Sequence, residues 1–248
     1  MDDELIKLGR QNEILERRVR NLENYVKQLA HDLKTPLTPL VGASEFLASG
    51  FTEQPWCDLA QSIKISAENL LRMVDELLDL ELCECGKIKF NFTSFDAVKP
   101  VAEETRKVEA GLPVNRLAIT LDLPATPVLV WADELRLRQV ISIFLLNALK
   151  FSPGGGKLTV RVIPGEATTG FAVEDEGPQI ASSDLPHFFD PYSSDGQHRR
   201  VGTSSLVLAK RLIELQGGNI GARSVPERGN TLWFDLPVEK SNVFMGAV

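Results

Sequence analysis

Apolar positions recur from Leu8 to Leu33 in alternating steps of four and three, with Leu8, Leu15, Leu22 and Leu29 interleaved with Asn12, Val19, Val26 and Leu33. That spacing is a heptad seam. Glu13, Glu16, Arg17, Arg18, Arg20 and Glu23 fill the wet positions, and Asn12 on the seam fixes register at some cost in stability. The pattern predicts a dimerising coiled coil over 1–28. The helical period continues past residue 31 to about Ser49, with a kink at Pro36 and Pro39. Gly50 to Pro55 reads as a turn, and a second amphipathic helix follows from Trp56 to Leu82, ended by Gly86. Two such helices cannot bury their apolar stripes alone, and doubling them across the coiled-coil axis gives a four-helix bundle over 29–86.

Beyond Gly86 the period changes. Short β-branched or alternating runs at Lys87–Phe92, Leu117–Leu121, Val128–Trp131, Lys157–Ile163, Gly170–Asp175, Asn219–Ser224 and Thr231–Leu236 predict strands. Helical patterns at Phe95–Glu109, Asp133–Phe151 and Leu206–Leu215 lie between them. The mixture lacks strict alternation, which predicts an α/β sandwich over 87–240 with a mixed sheet covered by helices on one face, followed by a tail at 241–248. Ser182–Thr203 is long and polar and reads as a mobile loop.

Composition narrows the partners. A formal charge of −7 over 248 residues lacks the basic excess that a phosphate-backbone binder uses, so no nucleic-acid partner is expected. The three cysteines form no even framework, which points to a reducing, cytoplasmic setting. Cys83 and Cys85 are too close for half of a zinc site and read as thiols at a helix end. No apolar run approaches the roughly twenty residues of a membrane span, so no membrane contact is expected within this chain.

His31-Asp32-Leu33-Lys34-Thr35-Pro36-Leu37 is the most specific string. On a helix His31 falls off the seam of Leu29 and Leu33, which leaves its imidazole accessible to another domain. A carboxylate beside it, Asp32, can orient one ring nitrogen and leave the other nucleophilic near neutral pH. The string resembles the H-box of the histidine kinase phosphoacceptor family, H-[ED]-[LIV]-[RK]-T-P-L, at every position. The resemblance implies His31 as the phosphorylated residue, Asp32 as its acid/base partner, and Thr35 as a residue that orients water when phosphate is removed from a response regulator.

A second constellation lies in Leu145–Gly156, where helical spacing brings Asn147, Lys150 and Phe151 to one edge. This segment resembles the N-box of the ATPase domain of the gyrase/Hsp90/histidine kinase type. The family assignment gives Asn147 to Mg²⁺, Lys150 to phosphate and Phe151 to the adenine or ribose; Ile143 stands where many members carry another Asn. Glu174-Asp175-Glu176-Gly177-Pro178-Gln179-Ile180 resembles the G1 box D-x-G-x-G-I, with Asp175 placed to accept the adenine amine and Gly177 to give backbone room. Gln179 fills the position of the second glycine. His187–Tyr192 resembles the aromatic F-box, and Arg199 and Arg200 follow on the lid as alternative γ-phosphate clamps. In the G2 box, normally G-x-G-L-G-L, the last two glycines fall at Thr203 and Ser205 beside Gly202. Positive-φ geometry there becomes costly, although small hydroxyl side chains can still approach phosphate.

Taken together, the resemblance identifies the chain as a member of the two-component sensor histidine kinases, with degenerate glycine boxes. It implies ATP and Mg²⁺ as cofactors, a homodimer, autophosphorylation of His31, and transfer to an aspartate of a response-regulator receiver domain. A pseudokinase scaffold with weakened ATP binding, or a phosphatase-dominant homologue, stays open as the alternative.

Overall fold

The computed structural model describes residues 37–43, 56–112, 117–154, 156–190, 203–226 and 228–239. Expectations for the heptad arm, His31, Asp32, Thr35, the Gly50–Pro55 turn, Arg199, Arg200, Gly202 and the tail fall outside these residues. The chain divides into two compact units, Met1–Leu78 and Asp79–Val248.

In the first unit, residues 37–43 (α1) are helical across Pro39, and α2 (Trp56–Glu84) runs through to the second unit. Ser66 and Glu76 are buried on one side of α2, where Arg72 Nη1 donates to Glu76 Oε1 at 2.8 Å. On the opposite side Leu71, Val74 and Leu78 form an apolar strip at 63%, 41% and 59% exposure.

The second unit begins with the last turns of α2. Gly86 adopts φ 64°, and Lys87 N donates to Leu82 O while Gly86 N donates to Cys83 O. This pairs the last carbonyls of α2 in a Schellman motif. Burial pushes the Cys83 thiol up to about 11, so it is a packed, unreactive group. Asp79 Oδ2 accepts from Arg136 Nη1 at 2.7 Å and from Gln139 Nε2 at 2.9 Å, and Glu84 Oε1 accepts from Arg211 Nε at 2.8 Å. These bonds hold the end of α2 to α4 (Glu134–Phe151) and α5 (Ser204–Leu215).

The first strand is displaced from its expected position. Lys87–Phe92 forms no ladder, and β1 is Thr93–Asp96, antiparallel to β3 (Leu129–Ala132). The partner sets the limit: Ala132 pairs with Thr93, and the next residue, Asp133, leaves the strand to cap α4. Its Oδ2 accepts from Asn91 N at 2.7 Å, so a side chain closes the pairing. For the same reason α3 starts at Val98 and runs to Ala110, later than the expected Phe95, because Phe95 and Asp96 belong to β1.

The main sheet has five strands in the order β2-β4-β5-β7-β6, formed by Ala118–Asp122, Lys157–Ile163, Thr168–Asp175, Gly229–Pro237 and Ile220–Val225. β2 pairs parallel with β4, and the remaining pairs are antiparallel. Leu158, Val160 and Val162 alternate inward along β4, as Leu232, Phe234 and Leu236 do along β7. α4 supplies Leu137, Val140, Ile141, Phe144, Leu145 and Ala148 to the core. Phe171 and Phe234 stack at 4.7 Å, Phe144 meets Phe234 edge-on at 5.6 Å, and Phe189 approaches Phe144 at 6.1 Å. Phe188 and Phe189 are buried after a short 3₁₀ turn at Leu185–His187, so these two residues anchor the described part of the expected loop in the core.

Phe144 is fully buried between the sheet and Phe189. Phe144→Ala is expected to lose about 3–5 kcal/mol of unfolding free energy, measured by urea denaturation of the intact chain.

Candidate nucleotide site

α4 forms because Asp133 caps it: its Oδ1 accepts from Arg136 N at 3.2 Å, with Glu134 in the first turn and Lys150 in the last to complement the helix dipole. The other end of the same helix carries Asn147, Lys150 and Phe151. Asn147 is 8% exposed, and among the described residues its Oδ1 has no hydrogen-bond partner. Lys150 is exposed, with Nζ 5.3 Å from the centroid of the Phe151 ring.

Three elements bring their ends to this region. Asp133 N donates to Gln216 Oε1 at 2.8 Å, which joins the beginning of α4 to the residue that ends α5. Earlier in α5, Lys210 bonds Asp190, next to the Phe189 that packs on Phe144 of α4, so the two helices run antiparallel and the start of α5 lies toward the Asn147 end of α4. The chain leaving α4 enters β4 at Lys157, whose neighbour Leu158 pairs with Asp175 at the end of β5. Lys157 N donates to Glu176 Oε2 at 3.1 Å across the same junction.

Asp175 is 2% exposed. Its Oδ1 accepts from Gly177 N at 2.7 Å and from Asn230 Nδ2 at 2.8 Å. Asn230, itself 2% exposed, was not among the residues expected to matter. The signal was present: Asn230 continues the inward row of Leu232, Phe234 and Leu236 on β7, and a polar residue on an apolar face must be hydrogen-bonded. Gly229 before it has φ 86°, and a Cβ there would run into the Asp175 carbonyl, so only glycine lets the two backbones meet.

Thr203 and Ser205 depart from the expected strain. Thr203 is the N-cap of α5 at φ −67°, with its Oγ1 accepting from Leu206 N at 3.4 Å, and Ser205 lies inside the helix. Neither backbone position requires glycine. A hydroxyl cap of this kind also stabilises the helix relative to a residue without a side-chain acceptor.

The donor set suits Mg²⁺. A buried amide oxygen left without a partner is costly in a folded protein, and a hard cation takes oxygen ligands while keeping several from water and phosphate. Among the described residues no group of three His, Cys, Asp or Glu could hold a metal ion by itself.

At the end of the described part of this segment, Asp190 accepts from Lys210 Nζ at 2.8 Å and interacts with His187 Nδ1 at 3.1 Å. Burial raises its carboxyl, but Lys210 and His187 outweigh that effect and hold it below the usual aspartate range.

Two measurements follow from this geometry. Asn147→Leu removes the orphaned oxygen while keeping volume, so the unliganded chain is expected to keep or gain thermal stability while Mg²⁺-dependent nucleotide binding disappears. Asp190 contributes stability above its unfolded pKa that is lost as pH falls through its lower folded value. The stability difference between wild type and Asp190→Asn should therefore be present at neutral pH and shrink on acidification, as followed by denaturant midpoints across pH.

Comparison with known proteins agrees with this architecture. Residues 21–84 match the His Kinase A (phospho-acceptor) domain, and residues 132–240 match the histidine kinase-, DNA gyrase B- and HSP90-like ATPase. Sensor protein GacS of Pseudomonas syringae pv. syringae is 29% identical over 227 residues, covering 88% of this chain and 25% of that protein. The chain spans about a quarter to a third of the length of the first curated relatives it matches. The Acinetobacter baumannii histidine kinase AdeS superposes with a TM-score of 0.65 at 26% identity, covering 85% of this chain and 98% of that one. Histidine kinase ThkA in complex with response regulator protein TrrA shares the fold, with a TM-score of 0.66 at 21% identity over 90% of this chain and 64% of that one. With both domain models matched and a solved histidine kinase superposing along most of its length, the chain belongs to the two-component sensor histidine kinase family.

Proposed function

We propose that this chain is the catalytic part of a sensor histidine kinase, which uses Mg-ATP to phosphorylate His31 and passes the phosphoryl group to an aspartate of a response-regulator receiver domain. The single observation that carries the nucleotide half is the buried Oδ1 of Asn147 at the end of α4, which has no hydrogen-bond partner among the described residues. The phosphoacceptor match over 21–84, which contains His31, Asp32 and Thr35, supports the other half. ThkA with its bound response regulator supports the choice of partner by likeness of fold.

In this reading the domains are 1–28 coiled coil, 29–86 dimerisation and phosphotransfer, 87–240 nucleotide binding, and 241–248 tail. The exposed strip of Leu71, Val74 and Leu78 supports a homodimer, since three large apolar side chains in a row gain by burial against a second copy. Among the described residues no helix is long and apolar enough to cross a membrane, and Cys83 and Cys85 are free thiols. These features accord with a cytoplasmic site of action.

The residues divide the work. Asp175 accepts the adenine amine, Asn147 holds the cation, and Lys150 leaves the Phe151 ring to meet a phosphate. Phe151 covers the base or ribose. The phosphates fall to the start of α5 with the hydroxyls of Thr203 and Ser205, and the roles of Gly202 in the phosphate loop and of Arg199 or Arg200 as γ-phosphate clamp are carried over from the family motif. Mg²⁺, when bound, neutralises charge that develops on the phosphate oxygens. An unprotonated ring nitrogen of His31 forms the bond to the γ-phosphorus as the bridging bond to ADP breaks, and Asp32 stabilises the proton on the other nitrogen. The phosphoryl group then passes from the ring nitrogen to an aspartate carboxylate oxygen of the receiver, which restores neutral His31.

Incubation of the full chain with Mg-ATP is expected to place acid-labile phosphate on His31, with His31→Gln blank and chelation of Mg²⁺ abolishing the label. A chain that neither labels nor binds ATP would refute the kinase reading and leave the scaffold in its place.

A further inference from the structure

The turn from Asp175 to Ile180 is held from outside itself. Ile180 N donates to Ser224 Oγ on β6 at 3.0 Å, and the Ser224 hydroxyl donates to Asn230 Oδ1 on β7 at 2.8 Å. The Asn230 amide nitrogen then donates to Asp175 Oδ1 at 2.8 Å, to Pro178 O at 3.1 Å and to Gly177 O at 3.4 Å. The direction of this chain is forced. A backbone N–H can only donate, so Ser224 Oγ accepts there and turns its proton to Asn230. Two carbonyls and a carboxylate oxygen can only accept here, so the NH₂ of Asn230 faces them and its oxygen faces Ser224.

The same bonds account for the two residues that depart from the family's G1 pattern. Pro178 has no N–H to satisfy, and its carbonyl is taken by Asn230. Gln179 is exposed and lines, with Val225 and Arg228, a cleft of about 490 Å³ between the turn and the β6–β7 hairpin. Positive φ occurs at Gly86, Gly217 and Gly229 among the described glycines, and Gly177 is not one of them. The turn takes its shape from hydrogen bonds supplied by the hairpin rather than from left-handed glycine.

We propose that Ser224 and Asn230 are positioning residues for nucleotide binding: they fix the Asp175 carboxylate and the 177–180 turn, replacing with a hydrogen-bonded clamp what a second glycine supplies by backbone freedom. The inference rests on the nucleotide site proposed above. It follows that base affinity in this chain depends on Ser224, a residue with no direct part in the site, and is not limited by Gln179.

The test uses the full chain in two arms. Without nucleotide, Ser224→Ala is expected to speed amide hydrogen exchange at Ile180 by about fivefold, the worth of one hydrogen bond, while the unfolding midpoint stays near wild type. Ser224→Thr keeps the hydroxyl and restores protection. With Mg-ATP, Ser224→Ala should raise the half-saturating concentration by about fivefold and leave the maximal labelling rate of His31 unaltered, because the bond acts on binding geometry and not on the transferring phosphoryl group. Asn230→Asp, which sets a second carboxylate against Asp175, should weaken binding further, and Gln179→Gly should fail to tighten it. Wild-type exchange at Ile180 in Ser224→Ala, or a gain of about tenfold in affinity from Gln179→Gly, would overturn the clamp. Should the wild-type chain bind no nucleotide, the proposed function fails, and the exchange arm still decides the clamp by itself.

Discussion

The packing of Phe144 is the constraint on which the nucleotide domain depends. Its ring lies between Phe234 of the sheet and Phe189 of the short turn, and Phe171 extends the column by stacking on Phe234. Aromatic pairs of this kind add about 0.5–1.5 kcal/mol each beyond the area they bury. Their geometric effect is larger. Asn147 follows Phe144 by three residues and so lies on the same side of α4. The packing that buries Phe144 therefore also desolvates the Asn147 amide, and the cost of an unpaired oxygen is met by the surrounding apolar contacts. Lys150, a further turn along, has already reached solvent.

Polar groups at the other side of the site are treated in the opposite way. Asp175 is as buried as the core residues beside it, yet its Oδ1 accepts two strong donors, one from the backbone of its own turn and one from β7. A buried carboxylate is tolerated when such donors surround it. One side of the site thus presents an acceptor that lacks a partner, and the other an acceptor held rigid by its partners. That contrast fits the difference between a group that takes up a cation and a group that reads the edge of a base.

Much of this was legible in the chain. The Asp133–Phe151 segment shows a helical apolar pattern and a Pro-Gly stop, and the helix forms from Glu134 to Phe151 as those signals require. Lys157–Ile163 is a strand with the expected bounds, because its alternation is strict and Gly-rich residues precede it. Lys87–Phe92 failed because β-propensity is a local quantity while a ladder needs a partner, and β3 ends where Asp133 turns to cap α4. The strain expected at Thr203 and Ser205 failed for a related reason: a motif records where glycines usually stand, not the φ that each position adopts in a given chain. Here one position is a cap and the other is helix. Asn230 carries no motif of its own and follows a glycine turn, so only its inward place in β7, readable from the period of two, marks it.

The arrangement of α4 and α5 divides the domain into a fixed end and a responsive one. Gln216 is fully buried, accepts from Asp133 N and donates to Leu212 O, so the end of α5 and the beginning of α4 are joined through one side chain with both of its polar atoms satisfied. Arg136 and Gln139 hold Asp79 close to that same end of α4. The opposite end is held differently. The Thr203 cap is long at 3.4 Å, Lys150 rests on a neighbouring ring, and Asn147 Oδ1 has no partner among the described residues. Local stability in proteins follows the density of buried contacts and satisfied bonds. A ligand that supplied phosphate oxygens to the start of α5 and a cation to Asn147 would therefore act at the end away from Gln216, with the joined end as its fulcrum.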